Sequence, residues 1–243
     1  MGMQDLLHMI YPPQCLTCDT RVTSDFGLCS TCWRDTPFIH GLVCNLCGAE
    51  LIGHQTTPED DAHALCDQCL DLSRPWSWGR AALAYRGKGR QIALAIKHGD
   101  RLDLIRPAAG WMLRAAQPML VPNMLLAPIP LHWTRLFKRR YNQSALLAQA
   151  IAKTSGMEVC PDLLIRRIRT KPQLGSLEAR LANVLPAIKV HPRRASRIEG
   201  RHILLIDDVM TSGATFTAAA EACIAQGAIG ISVLALARVA KDA

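Results

Sequence analysis

The sequence predicts an α/β protein with a mostly parallel sheet and helices on both faces, preceded by a small cysteine-rich module. From about residue 80, short apolar runs typical of strands alternate with segments of helical periodicity. Eight of the ten cysteines lie between residues 15 and 69. Residues 1–75 carry a net charge of −7, from 3 basic and 10 acidic side chains, whereas residues 76–243 carry +15, from 25 and 10. These contrasts predict two domains, 1–75 and 76–243.

Length and composition restrict the class of protein. The chain has 243 residues, of which 49% are apolar, and no stretch approaches the run of about 18 apolar residues that a membrane span needs. The opening "MGMQDLLHMIYPP" lacks the basic start and long apolar run of a secretory signal. We therefore expect a cytoplasmic protein without membrane insertion. The net charge of +8 favours phosphate or nucleic-acid ligands, although a solvated basic surface has the same composition.

The amino-terminal cysteines form four C-x-x-C pairs, which is a strong metal-binding signal. The pairs read "CLTC", "CSTC", "CNLC" and "CDQC", with 10, 11 and 18 residues between them. Because cytosolic chains rarely form structural disulfides, repeated pairs of this kind indicate zinc ligands. Two pairs complete one tetrahedral shell of four sulfurs, so we expect two structural Zn²⁺ ions. One set is Cys15, Cys18, Cys29 and Cys32, and the other is Cys44, Cys47, Cys66 and Cys69.

Two alternatives accompany the zinc prediction. Interleaved pairing of the C-x-x-C units fits the same spacing, and a thioredoxin-like redox role uses the same motif. Closed shells of four sulfurs leave no open position for catalysis, so the expected role of the module is stability. Zinc contributes roughly 10–16 kcal/mol to small zinc-finger peptides, which substitutes for the core that so short a segment lacks.

The second domain is predicted element by element. A strand is expected at "AALAYR", followed by helices at "GRQIALAIKHGD" and "LIRPAAGWMLRAAQPM", the latter interrupted by Pro107. A buried strand follows at "NMLLAPIP". The helix "NQSALLAQAIAKTSG" has Asn142 placed as its amino-terminal cap and Gly156 at its end. The remaining elements are the strand "HILLI", the helix "TFTAAAEACIAQG" and the strand "IGISVLALA".

Two adjacent acids, Asp207 and Asp208, follow "HILLI" and precede "TSGAT". In open parallel sheets, ligands bind beyond the carboxyl ends of the strands. A turn of small residues at a helix amino terminus offers free N–H groups and the positive end of the helix dipole, which suit a phosphate. Neighbouring carboxylates can hold ribose hydroxyls, directly or through Mg²⁺. The stretch therefore predicts a site for a phosphorylated sugar, since a capped helix alone needs no paired acids.

The stretch "ILLIDDVMTSGAT" resembles the signature of type I phosphoribosyltransferases. The resemblance extends to ComF-like competence proteins, which join a phosphoribosyltransferase domain to an amino-terminal double zinc ribbon and are linked to DNA uptake. The segments that carry it are "AIKHGD", "PIPLHWTRLFKRRYNQSALLA", "IRTKPQLGSLEARLANV" and the cysteine-rich start. It implies a type I phosphoribosyltransferase-like sheet and phosphoribosyl pyrophosphate (PRPP) bound with Mg²⁺.

The resemblance also implies roles for individual residues. Asp207 and Asp208 bind the ribose hydroxyls, while the 5′-phosphate lies on Thr211, Ser212, Gly213, Ala214 and Thr215. The pyrophosphate loop carries Arg139 and Arg140, with Arg135 and Lys138 as further candidates. A flexible loop, "RRIRTKPQLGSLEAR", closes over the reacting centre. Its candidates are Lys171, Gln173 and Arg180, and the expected catalytic set is Asp207, Asp208, Arg140 and Lys171.

One departure bears on the reaction. Purine-salvage members of this fold carry an acid three residues after the second carboxylate, and Thr211 occupies that position here. A hydroxyl is no general base at neutral pH, so purine salvage is not supported. Two classes of function remain. The first is transfer of a phosphoribosyl group; the second is PRPP-dependent, non-catalytic binding of single-stranded DNA or competence-machinery proteins. A pure zinc-ribbon DNA binder is disfavoured, because the ribbon half is acidic.

Overall fold

A five-stranded parallel sheet forms the centre of the computed structural model, which describes residues 8, 11–53, 64–168 and 185–239. Its strands are arranged in the order β1-β7-β6-β2-β3, and every neighbouring pair runs parallel. The strands are β1 (Trp78–Ala84), β2 (Leu125–Pro128), β3 (Glu158–Val159), β6 (His202–Met210) and β7 (Gly230–Arg238). A separate antiparallel pair consists of β4 (Leu164–Arg166) and β5 (Ile188–Val190). The predicted α/β class with a mostly parallel sheet is confirmed.

The helices connect the strands as the alternating pattern predicted. Within the described ranges they are α1 (Ser30–Asp35), α2 (Asp67–Leu70), α3 (Gly87–His98), α4 (Ile105–Ala116), α5 (Trp133–Arg139), α6 (Gln143–Ser155) and α7 (Ala214–Ile224). Two helix caps agree with the prediction. Asn142 accepts a hydrogen bond from the Ser144 N–H, and Gly156 ends α6 in the left-handed conformation at φ +75°.

Buried side chains form one cluster on each face of the sheet. Side chains of α3, α4 and α6, such as Ile92, Met112 and Leu147, pack on the face that carries Leu204. On the opposite face, Phe216 of α7 packs with the β6 and β7 side chains of that face and with several of the cysteines. Helices therefore cover both faces, because successive side chains of a strand point to opposite sides.

The structure shifts three of the predicted boundaries. Strand β1, at residues 78–84, begins three residues and ends two residues earlier than the predicted strand "AALAYR", residues 81–86. Pro107 does not interrupt α4 but lies in its first turn, where its missing N–H has no intrahelical partner to lose. Strand β6 continues through Asp207 and Asp208 to Met210, so the acids lie within the strand rather than after it. The extension follows from the pairing of β6 with β7 along its whole length.

The cysteine-rich segment packs directly against the sheet. Residue Phe38 pairs with Leu83 on the outer edge of β1, which covers an otherwise open strand edge. Cys44, Cys47 and Cys69 are buried in the same cluster as the side chains of β6 and β7. The division at residue 75 stays a prediction. Among the described residues, none of the helices combines the length and apolar character needed to cross a bilayer.

Candidate functional site

The two acids lie in the last four residues of β6, at the carboxyl edge of the sheet. Asp208 is buried, with 7% of its surface exposed. The Ser144 hydroxyl, at the start of α6, donates a hydrogen bond of 2.8 Å to Asp207 Oδ1. Lys97 Nζ, near the end of α3, lies 3.3 Å from Asp208 Oδ2. Three elements that are distant in sequence therefore meet at this pair of carboxylates.

Burial and the charge of Asp208 both affect the ionisation of Asp207. Burial raises the pKa of Asp207 to about 7, and the neighbouring charge of Asp208 acts in the same direction, while the Ser144 hydrogen bond opposes both. Asp207 therefore keeps its proton more readily than an exposed carboxyl does near neutral pH. Such a pair gains from a cation or from hydroxyl donors that stabilise the doubly ionised form.

The start of α6 fixes the position of Ser144. Asn142 caps the helix and also donates from Nδ2 to the Ile129 carbonyl, 2.9 Å away, just beyond β2. Gln143 donates from Nε2 to the carbonyl of Lys97 at 3.2 Å. The segment "YNQS" therefore ties α3, β2 and α6 together beside the acids. The sequence analysis predicted roles here for Arg140 and for Asn142 as the helix cap; Ser144 was missed because its contact with Asp207 spans 63 residues.

The turn after β6 has the form expected of a phosphate site. Gly213 lies at φ +83° and begins α7, whose first N–H groups have no intrahelical acceptors, as at any helix start. A Cβ at Gly213 would be strained at this φ and would lie 2.8 Å from Arg74 Nη1 and 3.0 Å from the Met210 methyl, so glycine is strongly favoured here. Ser212 Oγ accepts from the Ala214 N–H at 3.5 Å. The predicted residues 211–215 are therefore together at the start of an eleven-residue helix.

A basic cavity of about 590 Å³ lies beside the carboxylates. Seven polar or charged side chains and one tyrosine line it, from the end of α3 and the residues just after it, from α5 and from the α5–α6 connection. They are Lys97, His98, Asp100, Arg135, Lys138, Arg139, Arg140 and Tyr141. The Tyr141 hydroxyl donates to Asp100 Oδ1 at 3.0 Å, which holds the two segments together. The structure thus brings the predicted pyrophosphate-loop arginines, Arg139 and Arg140, to the same cavity as Lys97.

Arg140 and His98 lie at the ends of α5 and α3. Arg140 ends α5 in the left-handed conformation at φ +66°, which is unusual for a residue other than glycine. His98 is the last residue of α3, as expected of a helix-end residue. Burial lowers the pKa of His98, and the charges of Arg139 and Lys97 lower it further. His98 is therefore biased toward the neutral form among these cations.

Arg166 is a further basic residue near the acids. It lies in β4, at the start of the segment predicted to close over the site. Burial lowers the pKa of Arg166, the charge of Arg135 lowers it further, and Asp207 opposes both, so the three charges interact. The closing-loop candidates Lys171, Gln173 and Arg180 lie outside the described residues.

The cysteines are grouped as two four-sulfur clusters. One contains Cys15, Cys18, Cys29 and Cys32, and the other Cys44, Cys47, Cys66 and Cys69, with the sulfurs of each set within 4.8 Å of one another. Contacts of 3.6 Å join Cys18 to Cys29 and Cys47 to Cys66. These distances are close to the ~3.8 Å between sulfurs that each lie about 2.3 Å from one tetrahedral ion, and far beyond a disulfide bond. Both sets fit a structural Zn²⁺, and interleaved pairing is wrong.

Comparison with known proteins finds a family model that matches the cysteine-rich segment and relatives that align with most of the chain. Residues 6–70 match the family model described as "Double zinc ribbon domain". The chain is 26% identical over 223 residues to the DNA utilization protein YhgH of Escherichia coli K12, covering 88% of this chain and 91% of that one. It is 23% identical to the competence protein ComFC of Bacillus subtilis, over 88% and 89% of the two chains. Competence protein F of Haemophilus influenzae is 24% identical, over 87% and 90%.

Solved structures that align with part of this chain were also found. An allosteric regulatory enzyme of purine biosynthesis aligns with 59% of this chain and 30% of its own, at 18% identity and a TM-score of 0.39. Hypoxanthine-guanine phosphoribosyl transferase of L. donovani aligns with 60% of this chain and 71% of its own, at 15% identity and a TM-score of 0.32.

The chain combines a mostly parallel sheet, covered by helices on both faces, with a cysteine-rich segment that matches a double zinc ribbon. Relatives with names from competence and DNA utilization align along most of their length with this combination. Along most of its length the chain therefore resembles the ComF-type competence and DNA utilization proteins.

Proposed function

We propose that the protein binds PRPP with Mg²⁺ and transfers or recognises its phosphoribosyl group. The observation that carries this proposal is the placement of Asp207 and Asp208 at the end of β6, directly before a glycine turn that begins α7. Carboxylates for hydroxyls and helix N–H groups for a phosphate then lie side by side. A basic cavity next to them suits a diphosphate.

Each part of PRPP has a matching group in this arrangement. The ribose hydroxyls would donate to Asp207 and Asp208, and the 5′-phosphate would accept from the N–H groups of residues 211–215. Arg139 and Arg140 would bind the diphosphate, and the other cations of the cavity would add to its positive potential. Carboxylate oxygens are ligands that Mg²⁺ prefers, so Asp207 and Asp208 would hold the ion, which neutralises diphosphate charge when bound.

If a transfer reaction occurs, the chain contributes positioning and electrostatics. Positive charge grows near C1 of the ribose as the bond to the diphosphate breaks, and negative charge grows on the departing diphosphate. Ionised Asp207 and Asp208 would hold the ribose, while Arg139 and Arg140 would stabilise the diphosphate. Thr211 is exposed and supplies no carboxylate at the position where purine-salvage enzymes have one. The acceptor would therefore need its own nucleophilic nitrogen.

Titration calorimetry tests this proposal. PRPP with Mg²⁺ should bind the zinc-loaded protein, and omission of Mg²⁺ should weaken binding. Ribose 5-phosphate should bind more weakly, because it lacks the diphosphate that the basic cavity would hold. Absence of any heat with PRPP, from protein that is folded and zinc-replete, would contradict the proposal. If PRPP binds, pyrophosphate release in the presence of candidate acceptors distinguishes an enzyme from a binding protein.

Binding should strengthen as the pH rises through about 7. Because burial and Asp208 raise the pKa of Asp207 to about 7, the carboxylate must lose a proton before it accepts ribose hydroxyls or Mg²⁺. Between pH 6 and pH 8 the ionised fraction rises about tenfold, and the association constant should rise by a similar factor. The Asp207→Asn variant is the control, since its weaker residual binding should lack this component. An equal pH dependence in both proteins would assign the titration to another group.

A second candidate is binding of single-stranded DNA, favoured by the surface of α5. Trp133 and Phe137 are one helical turn apart and expose 69% and 88% of their surfaces, and α5 has no buried residue. Arg135, Lys138 and Arg139 lie on the same short helix. Exposed aromatics among cations are typical of surfaces that stack unpaired bases. The names of the relatives, which refer to competence and DNA utilization, are compatible with this role.

This candidate predicts a steep salt dependence of DNA affinity. Three or four phosphate contacts give a slope of roughly −2 to −3 in a plot of log K against log salt concentration. Loss of a stacking side chain costs about 1–3 kcal/mol, so Trp133→Ala with Phe137→Ala should weaken oligo(dT) binding by at least tenfold. Tyr11→Ala is a matched control, because Tyr11 is 77% exposed on the acidic ribbon. A flat salt response, or equal loss in the control, would exclude α5 as the surface.

A further inference from the structure

Two arginines that the sequence pattern does not single out donate hydrogen bonds to backbone carbonyls of the 211–213 turn. Arg74 donates from Nη1 to the Ser212 carbonyl at 2.8 Å. Arg238, only 2% exposed, donates from Nη1 to the Thr211 carbonyl at 2.6 Å and more weakly to that of Met210 at 3.4 Å. The consecutive carbonyls of Thr211 and Ser212 both accept hydrogen bonds from arginines, so their peptide planes are fixed. This restrains the directions of the N–H groups of the turn.

Both arginines are connected to the second cysteine cluster, one through each of its C-x-x-C turns. Gln68, between Cys66 and Cys69, accepts from Arg238 Nη2 at 3.0 Å. Leu46, between Cys44 and Cys47, accepts through its carbonyl from Trp76 Nε1 at 2.6 Å. The Arg74 guanidinium lies over the Trp76 ring, 5.2 Å from its centroid.

Trp76 also contacts the turn and the helix that follows it. A Cβ at Gly213 would lie 3.3 Å from Trp76 Cη2, so the ring limits the space at the glycine. The ring of Phe216, in the first turn of α7, lies edge-on to Trp76 with centroids 6.3 Å apart. The second cysteine cluster, Arg74 and Trp76 after it, and Arg238 of β7 are thus linked to the turn and the start of α7.

The positive charges of Arg74 and Arg238 favour an anion near the turn. Within the described part of the chain, neither Arg74 nor Arg238 forms a salt bridge with a carboxylate. Two further donors of Arg74, Nε and Nη2, and Nε of Arg238 are buried without a hydrogen-bond partner there. A buried cation without an opposite charge is unfavourable for folding alone. A phosphate on the turn, and the net charge of about −2 on four thiolates with one Zn²⁺, would each stabilise these cations.

We propose that the second cysteine cluster, Cys44, Cys47, Cys66 and Cys69, is a structural part of the phosphate site, with Arg74 and Arg238 as positioning residues for the 211–213 turn. The anion role rests on the proposed binding of a 5′-phosphate. Loss of zinc from this cluster releases the turn and lowers affinity for the phosphate. The first cluster has no such role, because among the described residues its contacts lie away from the turn: the Leu16 carbonyl, between Cys15 and Cys18, accepts from Arg101 at 3.0 Å.

The binding test compares two ligands that share the 5′-phosphate. Arg74→Met should weaken ribose 5-phosphate and Mg²⁺–PRPP by the same factor, about tenfold, leaving the ratio of their affinities unchanged. Arg74→Lys, which retains the charge, should recover part of the loss. Arg114→Met removes an exposed arginine of α4 and should change neither affinity. Unchanged binding in Arg74→Met, or a loss confined to PRPP, would contradict the assignment.

The link to zinc is tested by amide hydrogen exchange, which does not depend on the ligand. Cys66→Ala should accelerate exchange in residues 211–217, whereas Cys18→Ala, which removes one sulfur from the first cluster, should leave that segment protected. Zinc content should fall by one ion in each variant. Equal exchange of the turn in both variants overturns the inference. Failure of the wild-type protein to bind either phosphate ligand instead overturns the proposed function, while the exchange result still decides whether the cluster positions the turn.

Discussion

Replacing both Asp207 and Asp208 with asparagine should abolish measurable PRPP binding and leave the fold intact. Hydrogen bonds to charged groups contribute about 1.5–3 kcal/mol each, so loss of two or more predicts a decrease in affinity of at least a hundredfold. Asparagine has nearly the same shape and still accepts the Ser144 hydrogen bond that reaches Asp207. The measurement is calorimetric titration, accompanied by thermal unfolding of each variant.

The direction of the effect of Asp207→Asn on stability follows from the pKa of Asp207. Since the pKa of Asp207 is raised in the folded state, its ionisation at neutral pH opposes folding, and a neutral side chain removes that cost. The melting temperature of the single Asp207→Asn variant should therefore stay level or rise slightly at pH 7.5, whereas the double variant also loses the ion pair of Asp208 with Lys97. Asp162→Asn is the control, because Asp162 pairs with Arg194 at 2.9 Å away from the site and should not affect PRPP. Wild-type affinity in the double variant would exclude the carboxylates from the ribose site.

Zinc removal is the second large effect. Elemental analysis should find two zinc ions per chain, since each cluster offers four sulfurs. Cys47 is fully buried in the core cluster that includes the sheet, so Cys47→Ser should destabilise the protein by several kcal/mol and lower the melting temperature by roughly 10 °C or more. Cys18 is exposed, and Cys18→Ser should have a smaller effect on the sheet.

A cysteine outside the clusters provides the control. Cys160 is buried but belongs to neither four-sulfur set, so Cys160→Ala should retain two zinc ions. A single zinc ion in the wild-type protein with all thiols reduced would contradict the two-site model. A melting temperature insensitive to Cys47→Ser would show that the second cluster contributes little to the core.

Local sequence signals predicted the elements of the fold well. The cap at Asn142 and the left-handed end at Gly156 are both confirmed, because each depends on a few neighbouring residues. The grouping of the cysteines needed the structure, since spacing alone allowed interleaved pairs. The prediction that Pro107 interrupts a helix was wrong, because the sequence pattern did not show where α4 begins. The helix begins at Ile105, so Pro107 lies in the first turn, where proline is tolerated.

The candidate site was predictable where one segment contains its residues. "DDVMTSGAT" places two acids and a turn in a single stretch, and the structure brings them to one edge of the sheet. The contacts of Ser144 with Asp207, Lys97 with Asp208 and Arg238 with Gln68 span 63, 111 and 170 residues, and no local pattern announces them. Such side chains acquire their roles from the strand order of the sheet and from the packing of the ribbon on it.

The most direct test of the central claim is a crystal structure of the zinc-loaded protein with PRPP and Mg²⁺. The account predicts the 5′-phosphate within hydrogen-bond distance of the N–H groups of residues 211–215, with the ribose hydroxyls on Asp207 and Asp208. The diphosphate should lie toward Arg139 and Arg140. PRPP bound away from the end of β6, or bound with its 5′-phosphate in the basic cavity and its diphosphate on the turn, would contradict it.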